Sequence, residues 1–153
     1  PTGPDHVSET FKTAARARSY RRAMTIHFSA VGLVVANLDR SFACYRVLGL
    51  DLPTEAPEVP HFEVTLPGGL RLMWDTVESV SSFDPEFEPS SGGGAALAFD
   101  CGSPDAVDET LAALIEAGCT STKAPWDAFW GQRYASAMDP DGHSLDLFAA
   151  LPG

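Results

Sequence analysis

Few residues in this sequence have the types and spacing that chemistry requires. The histidines stand apart from one another: His27 precedes the first apolar run, His61 opens His61-Phe62-Glu63-Val64, and His143 follows the turn Asp139-Pro140-Asp141-Gly142. On a strand His61 and Glu63 share a face and could form a pair of metal ligands in principle, but a solvated edge face is the favoured reading. His143, placed just after a turn, reads as structural. Three cysteines, Cys44, Cys101 and Cys119, are odd in number and lack C-x-x-C spacing, which points to neither a disulfide framework nor a thiolate zinc site. They read as buried free thiols of a reducing, cytoplasmic compartment. No Ser-His-Asp order or Cys-His nucleophile spacing stands out, and Gly92-Gly93-Gly94 lacks the Lys and Ser/Thr that follow in a phosphate-binding loop. What does stand out is aromatic: Trp126, Phe129, Trp130 and Tyr134 fall within nine residues. Their rings stack on flat molecules, and an indole face also attracts a cation.

The elements that must position these residues are legible as a repeat. Val31-Gly32-Leu33-Val34-Val35 predicts a strand, Asn37 and Asp39 supply helix-capping chemistry, and Phe42, Tyr45 and Leu48 recur at helical spacing up to Gly49. The second half repeats the order. Ala96-Leu97-Ala98-Phe99 predicts a strand, Ser103-Pro104 a helix start, Val107, Leu111, Leu114 and Ile115 its buried face, and Gly118 its end. Ala56-Pro57 and Ala124-Pro125 precede further strands, and each half ends in a hairpin, through Leu66-Pro67-Gly68-Gly69 and through Asp139-Pro140-Asp141-Gly142. The reading is an α+β fold of two βαβββ modules in one domain, about 24–77 and 95–151. Residues 78–94 form a Ser/Pro/Gly linker or a lid carrying Phe83 and Phe87. Met24 reads as a start, with 1–23 a flexible N-terminal extension that has no apolar stretch of secretory type.

Of the 153 residues, 44% are hydrophobic, with no apolar run of membrane-spanning length. Ten Lys and Arg oppose 21 Asp and Glu, giving a net charge of −11, and five of those bases lie within residues 1–23. An acidic body lacks the cations that neutralise phosphates, which argues against nucleic acid and for a cationic small molecule as partner.

The segments Ala30-Val31-Gly32-Leu33-Val34-Val35-Ala36-Asn37-Leu38-Asp39-Arg40 and Phe129-Trp130-Gly131-Gln132-Arg133-Tyr134, with Met138-Asp139-Pro140-Asp141-Gly142-His143-Ser144-Leu145-Asp146-Leu147-Phe148, are similar to those of the vicinal oxygen chelate superfamily. That superfamily contains glyoxalase I, bleomycin-resistance proteins, extradiol dioxygenases and fosfomycin-resistance enzymes. The resemblance runs from Met24 to Leu151 and implies a curled, cup-shaped mixed sheet with helices outside and a ligand within. It also implies four metal-ligand positions, which here carry Ala30, Met73, Ala96 and Asp146. One carboxylate cannot hold a divalent ion that needs three or more donors in fixed geometry. No metal and no cofactor are therefore expected, and the chain most resembles the metal-free bleomycin-resistance type.

With Ala30 and Ala96 turned inward, alternation also turns Gly32, Val34, Ala98, Asp100, Arg71, Met73, Asp146 and Phe148 into the cup, and Trp74 out of it. The expected ligand-binding residues are Trp130, Trp126, Phe62, Tyr134, Met73, Asp146 and Phe148, with no catalytic residue assigned. Asp146 is expected to face a ligand amine or to bond Arg71 or Arg133. The favoured function is sequestration of a small aromatic or cationic metabolite or antibiotic by a homodimer. The alternative is a metal-dependent glyoxalase-, dioxygenase- or isomerase-type enzyme, whose rearranged site would require Asp146 to converge with His61, Glu63 or His27.

Overall fold

Valines give the run from Ala30 its strand character, and the alternation of large and small residues leaves one face to pack and the other open. This run is β1 (Ala30–Val35), with Leu33 and Val35 buried and Gly32 exposed. The Asn37 side chain accepts a hydrogen bond from the Arg40 amide at 2.9 Å and caps α1 (Leu38–Val47). Gly49, at φ 86°, carries the chain out of that helix. The computed structural model describes residues 26–90 and 93–153. The extension expected over 1–23 and the first glycine of the 92–94 run lie outside the described residues.

Next come β2 (His61–Thr65) and β3 (Arg71–Thr76). Here the first module departs from the predicted repeat, with three strands instead of four, because residues 49–60 form none. Pro53, Pro57 and Pro60 withhold amide donors from any ladder, and Asp51, Glu55 and Glu58 interrupt apolar alternation. A second departure is α2 (Val77–Phe83), which falls where a linker is expected. Thr76 caps it by accepting from the Ser79 amide at 3.1 Å, and Val80 anchors it as its buried residue.

The second module keeps the whole pattern: β4 (Ala96–Asp100), α3 (Pro104–Glu116), β5 (Thr120–Ala128), β6 (Gln132–Met138) and β7 (Ser144–Ala150). Ser103 accepts from the Ala106 amide, and Pro104 occupies the first turn, as the sequence predicts. Strand β5 runs through Ala124-Pro125, which the repeat places ahead of a strand. The proline is tolerated because β5 is an outer strand and its pairing with β6 shifts register around that dipeptide.

The fold is α+β, with two mixed sheets instead of one continuous curl. Their orders are β1-β3-β2 and β4-β7-β6-β5, and the parallel pairs are β1 with β3 and β4 with β7. One face of each sheet merges into a common core. Leu33, Val35, Phe42, Tyr45 and Trp74 of the first module join Val107, Leu111, Leu114, Leu145 and Leu147 of the second. The opposite face of each sheet carries the polar and small residues. Cys44 and Cys119 are buried free thiols, whereas Cys101 is half-buried. Among the described residues no helix is long and apolar enough to cross a membrane.

Candidate functional site

On the open face of the second sheet, pairing registers place Trp126 opposite Tyr134, Tyr134 opposite Phe148, and Phe148 opposite Asp100. The adjacent row holds Lys123, Ser136, Asp146 and Ala98. Gly131, at φ 91°, makes the tight turn from β5 to β6 and sets Trp130 over this face. Trp130 meets Trp126 edge to face at 5.3 Å, Tyr134 at 5.7 Å and Phe129 at 5.0 Å between ring centroids. The Trp130 indole N–H donates to Gln132 Oε1 at 2.8 Å and thereby fixes the ring. Phe129 is 93% exposed and Trp130 49%, an unusual area of apolar ring left to solvent.

Two polar features complete this wall. The Lys123 ammonium lies 4.3 Å from the centroid of Trp126, so the indole face already receives a cation. Trp126 Nε1 is buried and lacks a hydrogen-bond partner among the described residues. Asp146 accepts from the Ser136 hydroxyl at 2.8 Å. It bonds neither Arg71, which pairs with Glu63, nor Arg133, which pairs with Asp108 and Asp127, so the expected cross-cup ion pair is not formed. The Tyr134 phenol is pushed up by burial and by the neighbouring Asp146 carboxylate. Asp100 is engaged with the Gly102 amide at 2.9 Å.

Sequence reading missed Lys123, and the reason is local. Lys123 and Trp126 are three positions apart, which on a regular strand sets them on opposite faces. Their partners Ser136 and Tyr134 are only two apart, so the bulge at Ala124-Pro125 returns both side chains to one face.

The first sheet presents different chemistry. His61 Nδ1 lies 2.8 Å from Asp75 and Nε2 3.1 Å from Glu63, while Arg71 reaches Glu63 at 3.2 Å. Hydrogen bonds donated to Asp75 and then to Glu63 raise the His61 pKa, and the bond from His61 holds Glu63 low. His61 is thus an ion-pair partner clamped at both nitrogens. Removing the stronger clamp in Asp75→Asn is expected to lower the His61 pKa toward its ordinary value, with unfolding unchanged to within about 0.5 kcal/mol because the group is exposed. Histidine C–H chemical shifts followed against pH, together with urea unfolding, check this.

Met73 lies on this same open face, beside Gly32. Phe62 does not. Alternation turns it from His61 and Glu63 into the core, 5.0 Å from Phe42 and 6.3 Å from Trp74 between ring centroids. The structure therefore gathers Trp126, Trp130, Tyr134, Asp146 and Phe148 on one sheet and places Met73 and Phe62 on the other.

The four positions where the resemblance implies metal ligands carry two alanines, a methionine and Asp146, a donor set that does not fit a divalent ion. Among the described residues Asp146 forms no group of three candidate ligands with His61, Glu63 or His27. Among the described residues the one group of three candidate ligands, each within 4.8 Å of the others, is Asp139, Asp141 and His143. Both of its carboxylates are already engaged. Asp139 accepts four hydrogen bonds, from the Tyr45 hydroxyl at 2.9 Å, the Asp141 and His143 amides at 2.9 Å each, and His143 Nδ1 at 2.8 Å. Asp141 accepts from the Ala36 amide at 2.8 Å. This knot ties the turn before β7 to β1 and α1, the structural role expected for His143.

Hollows indent the described surface, two of them beside β1 and α1. A cavity of about 430 Å³ lies between β1 and β4, and a more open hollow of about 650 Å³ lies near the start of α1. None of the seven residues expected to bind ligand lines either. In a single chain the aromatic wall is an open surface.

A family model described as Glyoxalase/Bleomycin resistance protein/Dioxygenase superfamily matches residues 27–147. No functionally curated protein matches the sequence. Among solved structures, a hypothetical protein from S. aureus superposes with TM-score 0.69 at 17% identity, over 86% of this chain and 98% of that one. A glyoxalase/bleomycin resistance protein/dioxygenase family enzyme from Burkholderia phytofirmans PsJN does so with TM-score 0.69 at 22% identity, over 82% and 100%. A protein from Agrobacterium tumefaciens gives TM-score 0.62 at 26% identity, over 84% and 100%.

Proposed function

The chain belongs to the glyoxalase/bleomycin resistance protein/dioxygenase superfamily, and from that premise we propose that it is a binding protein of the bleomycin-resistance type. It captures a small aromatic or cationic metabolite or antibiotic without making or breaking a bond. The observation that carries this reading is the aromatic wall, where Trp126, Trp130 and Tyr134 meet edge to face and Trp126 holds the Lys123 ammonium. A planar cation gains stacking area on Trp130 and takes the place of Lys123 over the indole, and Asp146 supplies the countercharge. Capture independent of metal is supported by the poor donor set at Ala30, Met73, Ala96 and Asp146.

The functional unit in this reading is a cytoplasmic homodimer. An open aromatic wall holds a ligand weakly, and a second copy laid across it supplies the enclosure that small-molecule sites use. The three free cysteines suit a reducing compartment.

Quenching of tryptophan fluorescence by N-methylquinolinium tests the reading, with naphthalene-2-sulfonate as an anion of similar size. The expected result is saturable binding of the cation at one site per chain, weakened about tenfold, or ~1.4 kcal/mol, in Trp130→Ala. Cation and anion binding equally well would overturn it. Elemental analysis after exposure to Fe(II), Ni(II), Zn(II) and Mn(II) tests the metal-free part. Stoichiometric metal in the wild type that is lost in Asp146→Ala would refute it.

A further inference from the structure

The cavity of about 430 Å³ is within the size range of small-molecule sites, and it is separate from the aromatic wall. It lies where the outer strand of one sheet, β1, approaches the outer strand of the other, β4. Val31, Val34, Val77, Phe87 and Leu97 make its lining largely apolar. Its polar side is built by the knot before β7. His143 lines the cavity, and its Nδ1 is fixed 2.8 Å from Asp139. That carboxylate is itself held by the Tyr45 hydroxyl and two backbone amides. The opposite ring nitrogen, Nε2, has no partner among the described residues. Asp141 also lines the cavity, but its carboxylate is engaged by the Ala36 amide.

A histidine whose Nδ1–H is donated to a buried carboxylate has a fixed ring, and in its imidazolium form it carries a second N–H at Nε2. Burial opposes the charged ring, but the hydrogen bond to Asp139 outweighs it and raises the His143 pKa. With His143 protonated, the seam therefore combines an apolar cavity with one oriented, unengaged donor.

We infer that the seam between β1 and β4 is a second ligand site, which takes an apolar molecule of about two fused rings bearing one acceptor oxygen bound to His143 Nε2–H. The acceptor is a carbonyl or a carboxylate, and the two share the same contact. Phe87 and Leu97 pack the rings, and His143 selects the oxygen.

The test is run at about pH 6, below the ordinary histidine value of ~6.5, so that His143 is protonated, and it uses the full chain labelled with 15N-histidine and three matched probes: 2-acetylnaphthalene, 2-naphthoate and naphthalene. At least one oxygenated probe is expected to bind one per chain, to shift the His143 Nε2 resonance, and to bind at least tenfold more tightly than naphthalene. Which of the two binds better tells carbonyl from carboxylate. His143→Asn keeps an N–H for Asp139 but removes the far donor, and should reduce the preference for oxygen to less than twofold. Ala95→Trp places a large side chain from the exposed lining into the cavity and should abolish binding without touching the knot. Naphthalene binding as tightly as both oxygenated probes, an unmoved His143 resonance, unchanged affinity in Ala95→Trp, or no binding of any probe would each overturn the proposal.

Discussion

Replacing Asp139 with alanine is expected to lower the free energy of unfolding by about 3–5 kcal/mol, a large share of the ~5–15 kcal/mol available to a domain of this size. The side chain is fully buried and accepts four hydrogen bonds. Alanine leaves the Tyr45 hydroxyl, two amides and His143 Nδ1 without their acceptor, and the cost of burying unpaired donors exceeds the modest net value of the bonds themselves. Tyr45→Phe removes a single donor from the same carboxylate and should cost about 1–2 kcal/mol. Urea unfolding of the three proteins measures both.

The same pair sets a pH window. Burial pulls the Asp139 pKa up, but hydrogen bonds from His143 and Tyr45 and the His143 charge outweigh it, so the folded value lies below the ordinary 3.8. A depressed carboxylate contributes stability that is present above its unfolded value and is lost as pH falls through the folded one. His143 is raised above 6.5, so its contribution is complete below that pH and is lost as pH rises through the folded value. The pair therefore contributes most between about pH 4 and pH 6.5. In Asp139→Ala the plot of unfolding free energy against pH should lose curvature on both flanks. A variant with the wild-type pH profile would show that other groups carry it.

Trp74→Ala is expected to cost about 3–5 kcal/mol. Trp74 is fully buried, edge to face with Phe42 at 5.4 Å and with Tyr45 at 5.5 Å, and its indole N–H donates to the Ser41 hydroxyl at 2.9 Å. Truncation opens a hole between β3 and α1 and strands a buried hydroxyl. Trp74→Phe fills most of the hole and loses the hydrogen bond, so a cost of about 1–2 kcal/mol separates packing from polarity. Equal losses for the two variants in urea unfolding would assign the whole effect to the Ser41 bond.

The two variants probe the part of the fold that the sequence states most plainly. Asn37 and Ser103 cap where capping residues are expected, Gly49 and Gly118 end helices at positive φ, and Trp74 alternates into the core. Each of these features depends on nearest neighbours along the chain. The missing strand at 49–60 was less legible, because the repeat in the second module suggested pairing that Pro53, Pro57 and Pro60 deny. The aromaticity of Phe62 suggests a ligand contact, whereas its position between His61 and Glu63 fixes it on the packed face once those two face solvent. Two features escaped because they depend on geometry beyond the strand. Lys123 joins Trp126 through a bulge, and His143 meets the cavity through a seam between elements far apart in sequence.

Pro125 has a consequence for the exposed margin of the second sheet. The outermost strand of a sheet exposes a ladder of unpaired amides that templates indiscriminate growth with any other strand. On β5 that ladder is broken by a residue with no amide and by the register shift around it, and on the first sheet β2 is only five residues long and half charged or polar. The two margins away from the β1–β4 seam are therefore poor templates for sheet extension. Open-ended fibrous growth is thereby disfavoured at these margins, and the homodimer proposed above would form through the sheet faces, where contact is finite and closes on itself.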